Sequence, residues 1–252
     1  MINVQNMELS GNTILITGGA SGIGYAFAER FLAAGSEVII CGRREDKLQE
    51  AKEKHPQFHT RVCDVAEETE RVALFDWATS EFPRLNVLVN NAGIQRRVNL
   101  NESEDWQRTR SEIAINFDAP VHLSGLFVSH LLKQQRPAII NVTSGLSFVP
   151  LANVPVYCAT KAALHSFTMS LRQQLSETPV SVIEVAPPAV DTDLGGVGLH
   201  AFGVPLDEFA DAVFQRLPQG ETEIAYGTAQ KASRASREEL DEIFKFMNRT
   251  FK

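Results

Sequence analysis

Residues 12–35 read NTILITGGASGIGYAFAERFLAAG, an apolar run, a glycine-rich turn and then a segment of helical period. Glycines at such a strand-to-helix turn let the backbone approach a ligand closely, and the helix N-terminus that follows attracts phosphate. The spacing in Thr17-Gly18-Gly19-Ala20-Ser21-Gly22-Ile23-Gly24 is Gly-x-x-x-Gly-x-Gly rather than the commoner Gly-x-Gly-x-x-Gly. A tight turn needing positive φ would use the same residues with no ligand. Position favours the ligand, because the turn follows the first strand, where a doubly wound sheet holds a dinucleotide. Gly18, Ser21, Gly22, Ile23 and Gly24 are therefore candidate cofactor contacts.

Outward from that turn, strand-like runs alternate with helical patterns. The predicted strands are 12–17, 37–41, 58–63, 87–89, 138–143, 180–186 and a short one within 222–227. Between them lie helical segments, the longest of which, near 105–135, reads as two helices merged or as one kinked at Pro120. Residues 187–206, PPAVDTDLGGVGLHAFGVPL, are glycine-rich and aperiodic and predict a mobile loop. A helix in 207–217 and an amphipathic helix in 237–249 complete the pattern. Strand–helix alternation predicts an α/β fold, a doubly wound parallel sheet with helices on both faces. No linker or repeat interrupts it, so residues 1–252 are expected to form one domain. Its nucleotide half would be about 12–135 and its catalytic half about 136–252.

The composition narrows the function classes. An apolar fraction of 44% and a charged fraction of 22% are those of an ordinary globular protein. A net charge of -7 argues against nucleic-acid partners, which want a basic face. Cys41, Cys63 and Cys158 form no CxxC pair, and the six histidines are scattered, so no metal site is expected. His55, His59, His122, His130 and His165 read as surface or helix-packing residues, while His200 falls in the predicted loop. Trp77 and Trp106 read as packing residues. An odd number of thiols suggests a reducing compartment. The start MINVQNMELSGN lacks the pattern of a signal peptide, and no apolar run is long enough to span a bilayer. A cytoplasmic location with no membrane span is expected.

Chemistry is concentrated in Ser144–Lys161, SGLSFVPLANVPVYCATK. Tyr157 and Lys161 are four residues apart in a helical pattern and so share one face. A lysine ammonium beside a phenol favours the phenolate, which predicts a lowered tyrosine pKa and a general acid/base near neutral pH. At the end of the second strand stands Cys41-Gly42-Arg43-Arg44, with no carboxylate for a ribose 2′-hydroxyl. Arg43 and Arg44 suit the 2′-phosphate of NADP. NADP(H) is thus preferred to NAD(H), although two solvated arginines would read the same.

Together these residues resemble the short-chain dehydrogenase/reductase family over nearly the whole chain. Thr17–Gly24 matches its TGxxxGxG, Asn90-Asn91-Ala92-Gly93 its NNAG, and Asn116, Ser144, Tyr157 and Lys161 its catalytic set. The resemblance implies a single Rossmann domain and an enzyme that exchanges hydride between a nicotinamide and a small carbonyl/alcohol substrate. It implies that Tyr157 moves the proton and Ser144 holds the substrate oxygen. Lys161 would bind the nicotinamide ribose and lower the Tyr157 pKa, and Asn116 would hold a water leading to solvent. It also implies cofactor contacts from Asp64, Val65, Asn90, Ala92, Gly93, Pro187, Val190 and Thr192, and assembly as a homodimer or homotetramer. The phrases VIEVAPPAVDT, NVTSGL and YCATKAALHS are similar to a bacterial subgroup associated with D-alanine–teichoic acid genes, a likeness that implies no substrate. One position departs from the family: Pro187-Pro188 stands where Pro-Gly is usual, which puts the backbone path beside the nicotinamide in question. Gln95, Phe148 and Leu194 are candidate substrate contacts, and the loop 188–205 is expected to order over substrate.

Two other classes share some of these features. A serine-type ester hydrolase would use Ser144 or Lys161, but the nearest approach to its Gly-x-Ser-x-Gly elbow, Gly19–Ile23, fails at the last position. A non-catalytic NADP sensor would need the glycine turn but not the proton relay.

Overall fold

Thr13–Thr17 (β1) is buried along its whole length, as a parallel strand covered by helices on both faces must be. The computed structural model describes residues 6–102 and 105–250; residues 1–5, where the segment read for a leader begins, lie outside them. Around β1 run Glu37–Gly42 (β2), His59–Val62 (β3), Val87–Asn90 (β4), Ala138–Val142 (β5), Ser181–Ala186 (β6) and Glu223–Ala225 (β7). They form one sheet of seven parallel strands in the order β3-β2-β1-β4-β5-β6-β7. Strand order reverses at β1, so a crevice opens beyond the carboxyl ends of β1 and β4.

The helices are Gly22–Ala33 (α1), Glu45–Lys54 (α2), Glu68–Glu81 (α3), Trp106–Ile113 (α4), Ala119–Leu131 (α5), Pro155–Gln174 (α6), Leu206–Arg216 (α7), Gly227–Ser233 (α8) and Arg237–Thr250 (α9). Side chains alternate across each strand and divide the interior in two. Ile14, Ile16, Val38, Ile40 and Val185 meet Phe27 and Phe31 of α1 and Phe209 and Phe214 of α7. Leu15, Ile39, Leu88, Ile139 and Val182 meet Leu74 of α3, Phe127 of α5 and Leu171 of α6.

Most predicted strands differ from the observed ones by a residue or two at an end. The stretch 105–135 holds two helices, the first of its two readings, joined through a π-helical turn at Ala114–Asp118. Pro120 stands in the first turn of α5, directly after that π-helical turn. Helix α8 has no counterpart in the periodicity. Loop 188–205 is tied down by Val190↔Val204 pairing, by Asp191 N–H on the Val204 carbonyl at 2.9 Å, and by Val204 N–H on the Ala189 carbonyl at 2.9 Å. Trp77 packs against Phe82 as expected, but Trp106 is largely exposed at the start of α4 and is no packing residue.

Candidate active site

The glycine turn closes over β1 because three of its glycines leave no space for a side chain. A Cβ on Gly18 would lie 2.9 Å from the Ala92 Cα, one on Gly19 2.6 Å from Ile40 Cγ2, and one on Gly24 2.4 Å from Asn91 Nδ2. Gly18 and Gly22 also hold positive φ, +65° and +53°. Asn91 clips the turn from β4: its Nδ2 donates to the Thr17 carbonyl at 2.9 Å and the Gly18 carbonyl at 3.2 Å. Thr17 Oγ1 in turn accepts the N–H groups of Asn91 and Ala92, both at 3.0 Å.

Ser21 stands at the N-cap of α1 yet its hydroxyl does not cap the helix. It accepts instead from Arg44 Nη2 at 2.8 Å. The first N–H groups of α1 therefore keep their positive end without an internal serine cap, and a guanidinium stands beside them. This cradle, filled by no Cβ and lined by donors, fits a phosphate-bearing cofactor. Arg43 is exposed on the same turn. Ile23 is half-buried and packs on the core behind the loop.

The remaining predicted cofactor contacts divide. Ala92 and Gly93 lie at the mouth of the crevice, and a Cβ on Gly93 would sit 3.5 Å from Asn116 Oδ1 and 3.6 Å from Lys161 Nζ. The Thr192 methyl group faces Gly22, 3.5 Å from where a Cβ would be, and Val190 is buried beneath it. Asp64 accepts the Ala66 N–H at 3.0 Å in a tight turn. Val65 packs in the core and its carbonyl is taken by Arg71 at 2.7 Å. The side chain of Asn90 is likewise turned inward, to Ser124 Oγ at 3.2 Å and Asn141 Oδ1 at 2.9 Å. Pro187 is buried with its carbonyl accepting the Gly145 N–H at 2.8 Å, so the Pro187-Pro188 path is fixed from the β5 side.

Ser144, Tyr157, Lys161 and Asn116 converge within the crevice, all four buried. Ser144 leaves the end of β5 in extended backbone, its Oγ accepting the Leu146 N–H at 3.1 Å, and its hydroxyl hydrogen-bonds the Tyr157 phenol. The expected lowering of the Tyr157 pKa does not occur. Burial pushes the phenol above its ordinary value, Ser144 pulls the other way, and the charges of Cys158 and Glu112 add to the rise. Lys161 is turned to the carbonyl of Val142, 2.8 Å away, and its Nζ lies 5.8 Å from the centre of the Tyr157 ring. Shared helix face is thus not the same as contact between charged ends. Burial brings the Lys161 ammonium down to about 8.

That value has a consequence for stability. Lys161 binds its proton less tightly folded than unfolded, so folding stability contributed by this group rises with pH from about 8 upward and is lowest below it. At pH 7 the buried charge costs on the order of 3 kcal/mol, offset in part by the Val142 bond. Lys161→Met is therefore expected to unfold at the same temperature as the parent or higher at pH 7, by differential scanning calorimetry. Marked destabilisation would contradict this.

Asn116 lies in the π-helical turn. Its Oδ1 accepts the Ile94 N–H at 2.9 Å, and its Nδ2 donates to the Ile94 carbonyl at 2.8 Å and Thr160 Oγ1 at 3.2 Å. The side chain is a strut between the segment after Gly93 and α6.

The candidate substrate contacts fall in different places. Leu194, with Leu146 and Leu151, packs against Val154, Tyr157 and Cys158. Gln95 lies under the loop, its carbonyl 3.2 Å from where a Cβ on Gly195 would be. Phe148 packs instead on Ala186, Ala225 and Ala229, away from the phenol. His200 is held by the Leu194 backbone, and burial lowers its pKa.

Two residues, Glu184 and Glu112, were missed. His165, a helix residue packed edge-on against Phe148, also pairs with Glu184, a fully buried carboxylate in β6. Glu112 of α4 is fully buried and accepts the Arg96 N–H at 3.2 Å. An acid inside the apolar run VSVIEVA was the available signal for Glu184; Glu112 left none, because helices carry acids routinely.

Comparison with known proteins agrees with this geometry. The family model described as short chain dehydrogenase matches residues 12–197. The chain is 50% identical over 248 residues to the uncharacterised oxidoreductase DltE of Bacillus subtilis, covering 96% of this chain and 98% of that one. A short chain dehydrogenase from Burkholderia cenocepacia solved in complex with NADP has 25% identity and a TM-score of 0.81, with 96% of this chain and 99% of that one covered. A short chain dehydrogenase/reductase from Burkholderia phymatum, in complex with NAD, has 21% identity and a TM-score of 0.84, covering 94% and 96%.

Proposed function

This chain belongs to the short-chain dehydrogenase/reductase family, and from that premise we propose that it is an NADP(H)-dependent oxidoreductase acting on a carbonyl/alcohol pair. The observation that carries the reading is the buried meeting of Ser144 and Tyr157 in one crevice with Lys161 and Asn116. When bound, the nicotinamide supplies or takes up the hydride. Tyr157, kept neutral by burial, donates its phenolic proton to the substrate oxygen in reduction and recovers it in oxidation. Ser144 donates to the same oxygen and holds it within reach of the phenol. Lys161, once turned from Val142 to the cofactor ribose, brings its positive charge toward the phenolate and so stabilises it. Asn116 fixes Ile94 and with it the wall beside Gly93. Leu146, Leu151 and Leu194 line the approach to Tyr157, which suits a carbonyl bearing an apolar substituent.

Gly18, Gly22 and Gly24 would let the pyrophosphate down onto the α1 N-terminus. Arg43 and Arg44 would hold the 2′-phosphate, Asp64 and the Val65 N–H the adenine, and Val190 and Thr192 the carboxamide. Exposed Leu132 and Met169, at the end of α5 and on α6, support subunit contacts in a homodimer or homotetramer. No helix among the described residues is long and apolar enough to cross a membrane.

Calorimetric titration tests the cofactor. NADPH should bind about tenfold to a hundredfold more tightly than NADH, the worth of a charge-assisted phosphate contact. Arg43→Ala should erase most of that difference. A preference for NADH would overturn the arginine assignment alone, whereas binding of neither nucleotide would overturn the enzyme. Tight binding with no turnover of any aldehyde, ketone or alcohol would favour a sensor.

A further inference from the structure

Glu184 is out of character for its place. It stands in β6, is 0% exposed, and points to the face of the sheet that α6 covers. Such a carboxylate is tolerated only when paired and hydrogen-bonded. Thr143 Oγ1 donates to its Oε1 at 2.6 Å, and His165 Nδ1 lies 2.9 Å from each oxygen. Thr143 is the residue before Ser144, and its own N–H donates to the Val185 carbonyl at 2.8 Å. His165 follows Lys161 by one helical turn and Tyr157 by two. The pair therefore joins the turn bearing the serine to the helix bearing the tyrosine.

The charged groups around His165 are Glu184 of β6, Glu223 of β7 and Arg172 of α6, and the Phe148 ring packs edge-on against it at 4.9 Å. Ligand atoms of His165, Glu184 and Glu223 lie within 4.8 Å of one another, a spacing a cation could use. Arg172 already supplies positive charge to both carboxylates, with its guanidinium fixed on the carbonyls of Val182 at 2.9 Å and Thr222 at 2.8 Å. Glu184 is moreover occupied by Thr143 and His165. Those contacts point to an ion pair rather than a metal site.

We propose that Glu184 and His165 are positioning residues, a fully buried carboxylate and a half-buried imidazole that hold Thr143 and, through it, keep the Ser144 hydroxyl aligned with the Tyr157 phenol. This rests on the oxidoreductase reading above. The hydrogen bond to Glu184 raises the His165 pKa above its ordinary value. A raised imidazole stabilises the fold fully below its unfolded pKa, and the contribution is lost as pH rises through the folded one. Above that point Glu184 keeps the Thr143 bond and the more distant charge of Arg172 but loses the charge-assisted bond from His165, so the hold on Thr143 loosens.

The test compares the parent with Glu184→Gln, Glu184→Leu and His165→Gln. Both Glu184 variants should lower kcat about tenfold to a hundredfold, the scale of a misplaced reacting group, with NADPH affinity unchanged. Glu184→Leu should remain slow even where it matches the parent in Tm, since removing a buried charge can stabilise. Lys161 also deprotonates on the alkaline side, so the His165 limb is assigned by its disappearance from the pH profiles of Glu184→Gln and His165→Gln. Parental kcat and pH profile in Glu184→Gln, or recovery of kcat with Tm in Glu184→Leu, would overturn the proposal. If the parent turns over no carbonyl, the oxidoreductase reading fails. The pair is then decided by NMR titration of the His165 ring, which must fall in Glu184→Gln; an unmoved titration would overturn it.

Discussion

Tyr157→Phe should abolish turnover while leaving the cofactor site intact: kcat falls by about 10²–10⁴, the usual worth of a general acid/base, and NADPH affinity stays within about twofold. The substitution removes one oxygen and keeps the ring, so the packing of Leu146, Leu151, Val154 and Leu194 around it is retained. The phenol is buried and its pKa raised, so the group present at pH 7 is the neutral acid that reduction requires. Ser144→Ala should cost less, because it removes a donor to the substrate oxygen but not the proton. Steady-state kinetics with NADPH and a carbonyl panel measures the loss, and calorimetry measures the affinity. A Tyr157→Phe enzyme with parental kcat would remove Tyr157 from the mechanism, and loss of NADPH binding in step with kcat would mean that the residue shapes the nucleotide site.

The order of strands and helices was legible because β1, β2, β4, β5 and β6 are short, mostly apolar runs separated by segments of helical period. The glycine turn, with Ser144, Tyr157 and Lys161, was legible because motifs in fixed order carry more information than any one of them. Electrostatics was not. Sequence spacing puts Tyr157 and Lys161 on one helix face, but only the structure gives Lys161 the Val142 carbonyl and leaves the phenol dominated by burial. The same limit hid what the side chains of matched positions pack against. Val65 and Asn90 match cofactor-contacting positions, yet their side chains belong to the core and to a buried amide network. Contacts between distant segments, such as His165 with Glu184, leave no spacing to read. That 105–135 holds two helices was one of its two readings, but the place of the junction near 114 escaped because a π-turn alters hydrogen-bond register without requiring a helix-breaking residue.

Gly24→Ala should be the most damaging single methyl in the nucleotide half, although Gly24 is an ordinary helical glycine with no positive φ. The added carbon would lie 2.4 Å from Asn91 Nδ2, 2.5 Å from the Gly18 carbonyl oxygen and 3.0 Å from its carbon. Two of those atoms are backbone, so a rotamer change cannot relieve the overlap. Either α1 withdraws from the turn or Asn91 gives up its bonds to the Thr17 and Gly18 carbonyls. Overpacking of this kind costs roughly 1–3 kcal/mol, and the lost bonds add about 1 kcal/mol each. Urea unfolding should show a midpoint well below the parent's, and calorimetry should show NADPH binding weakened at least tenfold. Gly22→Ala provides the contrast. It has open space, with Thr192 Cγ2 at 3.5 Å, but a φ of +53°, so its cost is conformational, about 1 kcal/mol. Adding Asn91→Ala to Gly24→Ala removes the nearest atom but not the Gly18 carbonyl, so the double variant should recover part of the stability and none of the NADPH affinity. Full recovery of both would mean that Asn91 alone, rather than the path of the backbone, requires glycine at position 24.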